Sequence, residues 1–308
     1  MSLASIAFNQ IIIMFLIIFI GFICYKFNLI DKEVNKKLSN ILLMLINPIL
    51  IFNSYQQEFS KELLNGLLIS FLLAVITHIF GILISLLLNK RKNKNDTVIE
   101  QFSCVYSNCG FMGIPLVYGI FGDEGVLYLT AYMTIFNLFI WTHGIILMVG
   151  KQDKKSLIKT LVSPTLVAII IGFILFITQI KIPGVIKGAF VYIADMNTPL
   201  AMLIAGVTIA QTNLKEVFTK VGIYIVVLIK LIIIPVVLLL VYSRFPISKG
   251  VITTAILAAA CPTATTGTLF ALKYNKNALY ASEIFAITTL VSLVSIPCIM
   301  AFSEFIIR

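Results

Sequence analysis

Ser107-Asn108-Cys109-Gly110-Phe111-Met112-Gly113-Ile114-Pro115 stands in the middle of an apolar block otherwise long enough to cross a bilayer as one helix. Such a stretch breaks a helix. Proline lacks the amide proton and its ring crowds the carbonyl four residues back, while glycine adds backbone freedom. In hydrocarbon a freed carbonyl or amide finds no water, so a break is tolerated only against protein or a water-filled cavity. A second apolar block carries a break of the same make, Cys261-Pro262-Thr263-Ala264-Thr265-Thr266-Gly267-Thr268. The pair predicts a membrane protein with two interrupted spans. The other reading is two packing kinks, since glycine and proline are common in membrane helices.

The composition agrees with a membrane protein. Of 308 residues, 60% are hydrophobic and 12% charged, with a mean hydropathy of +1.05, whereas soluble domains are about half apolar and a quarter charged. Apolar blocks of about 20 residues cover about 30 Å of hydrocarbon as helices, and the missing period-2 alternation excludes a barrel. The expected fold is an all-α integral membrane protein with ten spans, at 7–27, 35–56, 65–88, 98–121, 125–149, 157–178, 188–211, 217–242, 250–273 and 277–305. No Lys or Arg precedes the first block and no small-residue cleavage site follows it, so it reads as a span rather than a signal. The connections are too short for a soluble domain. Cys24, Cys104, Cys109, Cys261 and Cys298 lack metal-ligand spacing and imply no disulfide framework. Neither a nucleophile–base pair nor a metal motif is present, so no enzyme activity, metal or cofactor is expected beyond coupling to H+ or Na+. The net charge of +10 is spread over short connections, which points to the lipid bilayer and away from nucleic acid.

Orientation follows from Lys and Arg, which are enriched in short cytoplasmic connections. The odd-numbered connections hold Lys26, Lys32, Lys36, Lys37, Lys90, Arg91, Lys92, Lys94, Lys151, Lys154, Lys155, Lys159, Lys215, Lys220, Lys273 and Lys276, 16 in all. The opposite side holds six: Lys61, Lys181, Lys187, Arg244, Lys249 and Arg308. Odd connections are therefore expected in the cytoplasm and both termini outside, in a multi-pass protein of the cell (inner) membrane. The basic residues themselves read as solvated topology signals. The chain also repeats at a separation of about 150: Asn47-Pro48-Ile49-Leu50 with Asn197-Thr198-Pro199-Leu200, Gly125-Val126-Leu127-Tyr128 with Asn277-Ala278-Leu279-Tyr280, His78 with Lys230, and Cys109 with Cys261. Five spans per repeat is an odd number, so 1–150 and 151–308 are expected to be inverted copies. Interrupted spans at equivalent places in inverted halves point to a carrier's substrate site, where half-helix N-termini offer N–H groups to an anion.

Lys230 lies near the middle of the eighth span, where an unpaired charge costs at least about 2.5 to 3.5 kcal/mol. One reading pairs it with a carboxylate substrate or a protonatable partner; the other has the ammonium snorkel into a cavity or bond freed carbonyls. The nearest acids, Asp195, Glu100 and Glu283, stand closer to span ends. A deep cation without a deep anion suits a negative substrate. Imidazole ordinarily titrates near neutral pH, so His78 and His143, with Glu283, are candidates to carry a coupling proton, although a histidine satisfied by a carbonyl is the commoner case. Asn47 and Asn197, beside prolines, either cap freed backbone or touch substrate.

The run Asn108 to Pro115, with Leu116, Tyr118-Gly119 and Phe121-Gly122 behind it, resembles the fourth helix of the auxin efflux carrier family. Pro262 through Gly267, Phe270-Ala271, Tyr274 and Pro297 are similar to that family's second crossover region, and the likeness covers essentially the whole chain. Plant members have a long connection between the halves. Here only about Gly150 to Ser156 stand there, as in compact prokaryotic members, commonly named malate or other organic-acid permeases. The resemblance implies the bile-acid sodium symporter fold: spans 1, 2, 6 and 7 as scaffold, spans 3–5 and 8–10 as a moving transport domain, and the fourth and ninth crossing at their prolines. It implies a homodimer and elevator-type alternating access. It also implies that Asn108 touches substrate, with Gly110, Gly113, Pro115, Pro262, Thr263, Thr265 and Thr266 around it. The family's asparagine in the second crossover is absent, since Ala258-Ala259-Ala260-Cys261 precedes Pro262, which disfavours auxin itself. The expected function is secondary active transport of a small organic anion, a mono- or dicarboxylate. A passive channel or facilitator, or a sodium-coupled symporter of the bile-acid type, are the alternatives.

Overall fold

The computed structural model describes residues 3–90, 94–150, 163–212, 217 and 220–307. The expected start of the sixth span, the junction of the halves at 151, and Arg91, Lys92, Lys151, Lys154, Lys155, Lys159, Lys215 and Arg308 lie outside the described residues. Among the described residues all regular structure is helical, apart from one isolated bridge. Seven helical stretches are long and apolar enough to cross a membrane: Ser5–Lys26, Lys32–Ser54, Lys61–Leu88, Cys109–Val149, Gly184–Ala210, Val221–Tyr242 and Ala278–Ile306. Two shorter apolar helices, Pro164–Thr178 and Lys249–Ala260, accompany them. The chain is a multi-pass membrane protein.

In order the helices are α1 (Leu3–Lys26), α2 (Lys32–Ile41), α3 (Asn47–Ser54), α4 (Lys61–Ser85), α5 (Lys94–Val105), α6 (Ile114–Phe139), α7 (Ile145–Val149), α8 (Pro164–Thr178), α9 (Gly184–Asp195), α10 (Asn197–Ala210), α11 (Val221–Leu228), α12 (Ile234–Tyr242), α13 (Lys249–Ala260), α14 (Thr266–Lys273) and α15 (Ala278–Ile306). Short polar side chains fix several starts by accepting an otherwise orphaned amide: Asp31 from Val34, Ser60 from Leu63, Ser248 from Val251 and Asn277 from Tyr280.

Prolines shape the interior of the spans. Of four widened π turns among the described residues, Leu42–Ile46, Cys109–Gly113 and Ile229–Ile233 are followed by Pro48, Pro115 and Pro235 one residue into the next helix, whereas Ile140–Gly144 has no such proline. Each ring would meet the carbonyl four residues back, at Met44, Phe111 or Leu231, and each of those carbonyls belongs to the π turn. Widening the turn removes the clash that an α-helix would impose.

Two of the expected spans are broken by non-helical chain in this structure. The stretch 98–121 is two helical pieces separated at Tyr106–Asn108, and its second piece continues past 121 into the expected fifth span. Gly122, at φ 61° and ψ −148°, makes the corner within α6, a conformation open in practice only to glycine. The stretch 250–273 is likewise α13 and α14 with Cys261–Thr265 between them, because Pro262 ends the first and cannot continue it.

Packing sorts the helices. α1 lies along α10, where a Cβ on Gly206 would overlap the backbone of Ile18 and Phe22, and one on Gly21 the backbone of Leu203. Small residues allow that approach, and dispersion across it holds the pair without any help from water. α3 packs on α8 and α9, whereas α4, α6, α12, α13 and α15 pack around the two breaks.

Candidate functional site

At the breaks the chain is extended rather than helical, and the two segments pair. Asn108 donates its backbone N–H to the Pro262 carbonyl at 2.7 Å, and Ala264 donates to the Tyr106 carbonyl at 2.9 Å. Ser107 and Thr263 thus form an antiparallel bridge in the middle of a helical protein. The amides and carbonyls lost by breaking two helices satisfy each other, which is the condition for irregular backbone at this depth. Further bonds tie the crossing to its neighbours. The Thr263 N–H reaches Thr288 Oγ1 of α15 at 3.3 Å, Ser107 Oγ lies 3.3 Å from the Tyr132 hydroxyl of α6, and the Asn108 carbonyl accepts from Met112 and Gly113 at 3.0 and 3.2 Å.

Several polar groups at the crossing are left over. Asn108 Nδ2, Thr263 Oγ1 and Thr266 Oγ1 are buried atoms without a hydrogen-bond partner among the described residues. Lys230, on the π turn before Pro235, is 1% exposed, and the described residues supply it neither an ion pair nor a hydrogen bond. Its electrostatic neighbours are the thiols of Cys261, Cys104 and Cys109. A Cβ on Gly113 would lie 3.3 Å from Cys109 Cβ and 3.5 Å from Cys261 Sγ, so the repeat-related cysteines meet at the crossing; both are free. A Cβ on Gly110 would lie 3.9 Å from Asn47 Nδ2, and Asn197 donates its amide to Asn47 Oδ1, so the repeat-related asparagines also meet, directly behind the first break. Buried unpaired donors cost free energy unless something bonds them.

The remaining candidates fall in different places. Pro115 lies behind the site, its carbonyl accepting from Gln10 of α1 at 3.3 Å, and Thr265 is half-buried between the crossing and α14. His78 of α4 is fully buried; its Nδ1 donates to the Ala74 carbonyl at 2.7 Å while Nε2 has no partner. Tyr132, Phe139, Phe136 and Tyr106 surround the ring with centroids 5.0 to 6.3 Å away, and Lys230 and His143 are its electrostatic neighbours. His143 Nδ1 lies 2.9 Å from the Tyr106 hydroxyl, which also donates to the Phe139 carbonyl at 2.8 Å. Glu283 does not join the crossing. Its carboxylate, 0% exposed, takes both oxygens to the Lys220 ammonium at 2.6 and 2.7 Å, beside a Tyr280 hydroxyl that donates to Glu100 at 2.7 Å. Lys220 is therefore a partner of a buried acid rather than a solvated signal, and Glu283 and Glu100, 0% and 2% exposed, are buried within the protein. Sequence reasoning missed Tyr106, Tyr132, Thr288 and Pro235. The available signals were the tyrosine next to the break, the Thr288-Thr289 pair in an apolar run, and a proline five residues after the deep lysine.

With this geometry in view, the comparisons with known proteins bear on the whole chain. A profile described as membrane transport protein matches residues 6–156 and 151–300. The chain belongs to that family, the one that includes the auxin efflux carriers. It is similar to an uncharacterized transporter of Methanocaldococcus jannaschii, 26% identical over 218 residues, 67% of this chain and 70% of that protein. It is also similar to an uncharacterized transporter of Methanothermobacter thermautotrophicus, 23% identical over 288 residues, 91% and 93% of the two chains. A protein of Rhizobium meliloti provisionally named a malonate transporter is 24% identical over 293 residues, 91% and 90% of the two chains. The family, with two likenesses that cover about nine-tenths of both chains, fits a compact prokaryotic transporter.

Proposed function

We propose that this transporter is a secondary active carrier of a small organic anion, a mono- or dicarboxylate of malonate or malate size, and not an enzyme. The observation that carries the reading is Lys230, fully buried beside the crossing with no acid among the described residues to pair it. A carboxylate entering there would pair the ammonium and accept from Asn108 Nδ2, Thr263 Oγ1 and Thr266 Oγ1, which have no partners without it. The name of the Rhizobium relative supports the substrate class.

The working architecture is ten spans in two inverted halves, 1–150 and 151–308, both termini outside. Here α1 with the α2–α3 span, α8 and the α9–α10 span make the scaffold, and the remaining helices make the transport domain. The antiparallel pairing of the two breaks and the Asn47–Asn197 contact support the inversion, and the α1–α10 and α3–α8 packing supports the scaffold, which meets the transport domain where α1 packs on α15 and α6. In this scheme a homodimer moves its transport domains in elevator fashion, with Asn47 and Asn197 facing the site from the scaffold. A proton or sodium gradient, or exchange, drives it, with His78 and His143 as the groups positioned to handle a proton.

The test is uptake of radiolabelled malonate, malate, succinate and monocarboxylates into proteoliposomes, with proton and sodium gradients imposed separately and countertransport measured. Saturable uptake with accelerated exchange is expected for at least one acid, and Asn108→Ala should weaken it while the protein remains monodisperse. Linear, non-saturating flux without exchange would make the protein a passive pore, and absence of flux for the whole panel would refute the substrate class.

A further inference from the structure

At one end of the bundle, the connection that leaves α3 and the connection between α8 and α9 enclose a cavity of about 250 Å³, lined by Gln56, Gln57, Glu58, Gln179, Lys181 and Lys187 among others. None of the residues at the crossing of the two breaks lines it. Its walls are fixed by amides already in use: Gln179 Nε2 donates to the Phe176 carbonyl at 2.6 Å and to the Gln57 carbonyl at 3.3 Å, and Gln57 Nε2 to the Ser54 carbonyl at 2.6 Å. The groups left over are donors. Gln56 Nε2 is buried without a partner, and neither Lys181 nor Lys187 forms an ion pair among the described residues. In the lining itself two ammonium groups and an amide stand against one carboxylate, that of Glu58; Asp123, outside the lining, is an electrostatic neighbour of Lys187.

The surroundings of the cavity say what kind of anion fits. Ile180 in the lining is 60% exposed, and Val185 and Ile186, on the first turn of α9 just before the lining residue Lys187, are 89% and 46% exposed. On a multi-pass protein such side chains at helix ends meet acyl chains, while lysines next to them reach for the headgroup layer. In the proposed orientation both connections lie on the outer side, and a basic recess between spans at the headgroup level can take lipid phosphate there by the same charge pairing that operates on the cytoplasmic side. We propose that this cavity binds the phosphate of an anionic phospholipid, held by Lys181, Lys187 and Gln56 Nε2, with acyl chains along Ile180, Val185 and Ile186. The site is separate from the carried anion and would tether the α3, α8 and α9 end of the protein to the membrane surface.

The experiment is thermal unfolding and native mass spectrometry of the purified full chain, titrated with phosphatidylglycerol, with phosphatidylcholine of the same acyl composition, and with inorganic phosphate. Preferential stabilisation and retention of phosphatidylglycerol are expected. Lys181→Gln with Lys187→Gln should lower that lipid's apparent affinity by roughly tenfold or more, from about fivefold per basic residue. Glu58→Gln should raise it. Equal responses to the two lipids, or a preference that survives the double lysine substitution, would overturn the proposal. Stabilisation by inorganic phosphate equal to that by phosphatidylglycerol, and lost in the same variant, would overturn the lipid assignment in favour of a soluble oxyanion. Transport is not the readout, so failure here leaves the proposed carrier function untouched.

Discussion

Lys220→Met is expected to destabilise this protein more than Glu283→Gln, although the two remove halves of one ion pair. The pair is bidentate at 2.6 and 2.7 Å, with Glu283 0% and Lys220 31% exposed at the side chain. Breaking a buried pair by deleting one partner costs about 3 to 5 kcal/mol, because the survivor is a charge without compensation. Water at the Lys220 side reduces that to about 2 to 3 kcal/mol for Lys220→Met, which strands the carboxylate. Glu283→Gln strands instead a partly hydrated ammonium that still faces the Tyr280 ring at 5.8 Å, and about 1 kcal/mol is expected. With an unfolding entropy of about 2.1 cal/mol/K per residue, a chain of this size loses about 1.6 °C of Tm per kcal/mol. The expected shifts are therefore about 3 to 5 °C for Lys220→Met and at most about 2 °C for Glu283→Gln, with the double variant close to the latter. The assay is thermal unfolding in detergent followed by intrinsic fluorescence. Equal shifts, the reverse order, or a double variant as unstable as Lys220→Met would refute the claim that burial of the carboxylate sets the cost.

Lys230→Met should leave Tm unchanged or raised by removing an unpaired buried charge, while apparent affinity for the transported anion falls; wild-type affinity in uptake assays would make the charge structural. Pro235→Ala should let the Ile229–Ile233 turn relax toward an α-helix and swing Lys230, lowering transport with little loss of Tm, and unaltered transport would disconnect the π turn from the site. Gly206→Val should separate α1 from α10 and abolish the monodisperse peak in size-exclusion chromatography, whereas Gly188→Ala, with open space around its Cβ, should be silent. Cysteines introduced at Glu33 and Pro246, both exposed, should react with membrane-impermeant maleimide from the cytoplasm and from outside respectively, and reversed labelling would overturn the orientation.

Composition and hydropathy were enough for the membrane class, because burial of apolar side chains in lipid is a property of each segment taken alone. The breaks were legible for the same reason: Pro115, Pro262 and the glycines near them act on their own turn of helix. The repeat separation of about 150 also carried spatial content, since Asn47 meets Asn197 and Cys109 comes beside Cys261. What stayed hidden depends on partners far away in the chain. Nothing local to Lys220 distinguishes a solvated loop lysine from the partner of Glu283, 63 residues on, and the two were read apart, one as a topology signal and one as a coupling candidate. The bonds that close the crossing run from the backbone of Asn108 and Ala264 to the backbone of Pro262 and Tyr106, so side-chain identity does not announce them. Pro235 lies between these cases. Its clash with the carbonyl four residues back is local, and that carbonyl is in the π turn that carries Lys230. Proline spacing relative to a buried charge is therefore the readable trace of how this fold aims a cation: the ring widens one turn, the widened turn rotates the side chains on it, and the lysine is delivered beside the crossing rather than against lipid.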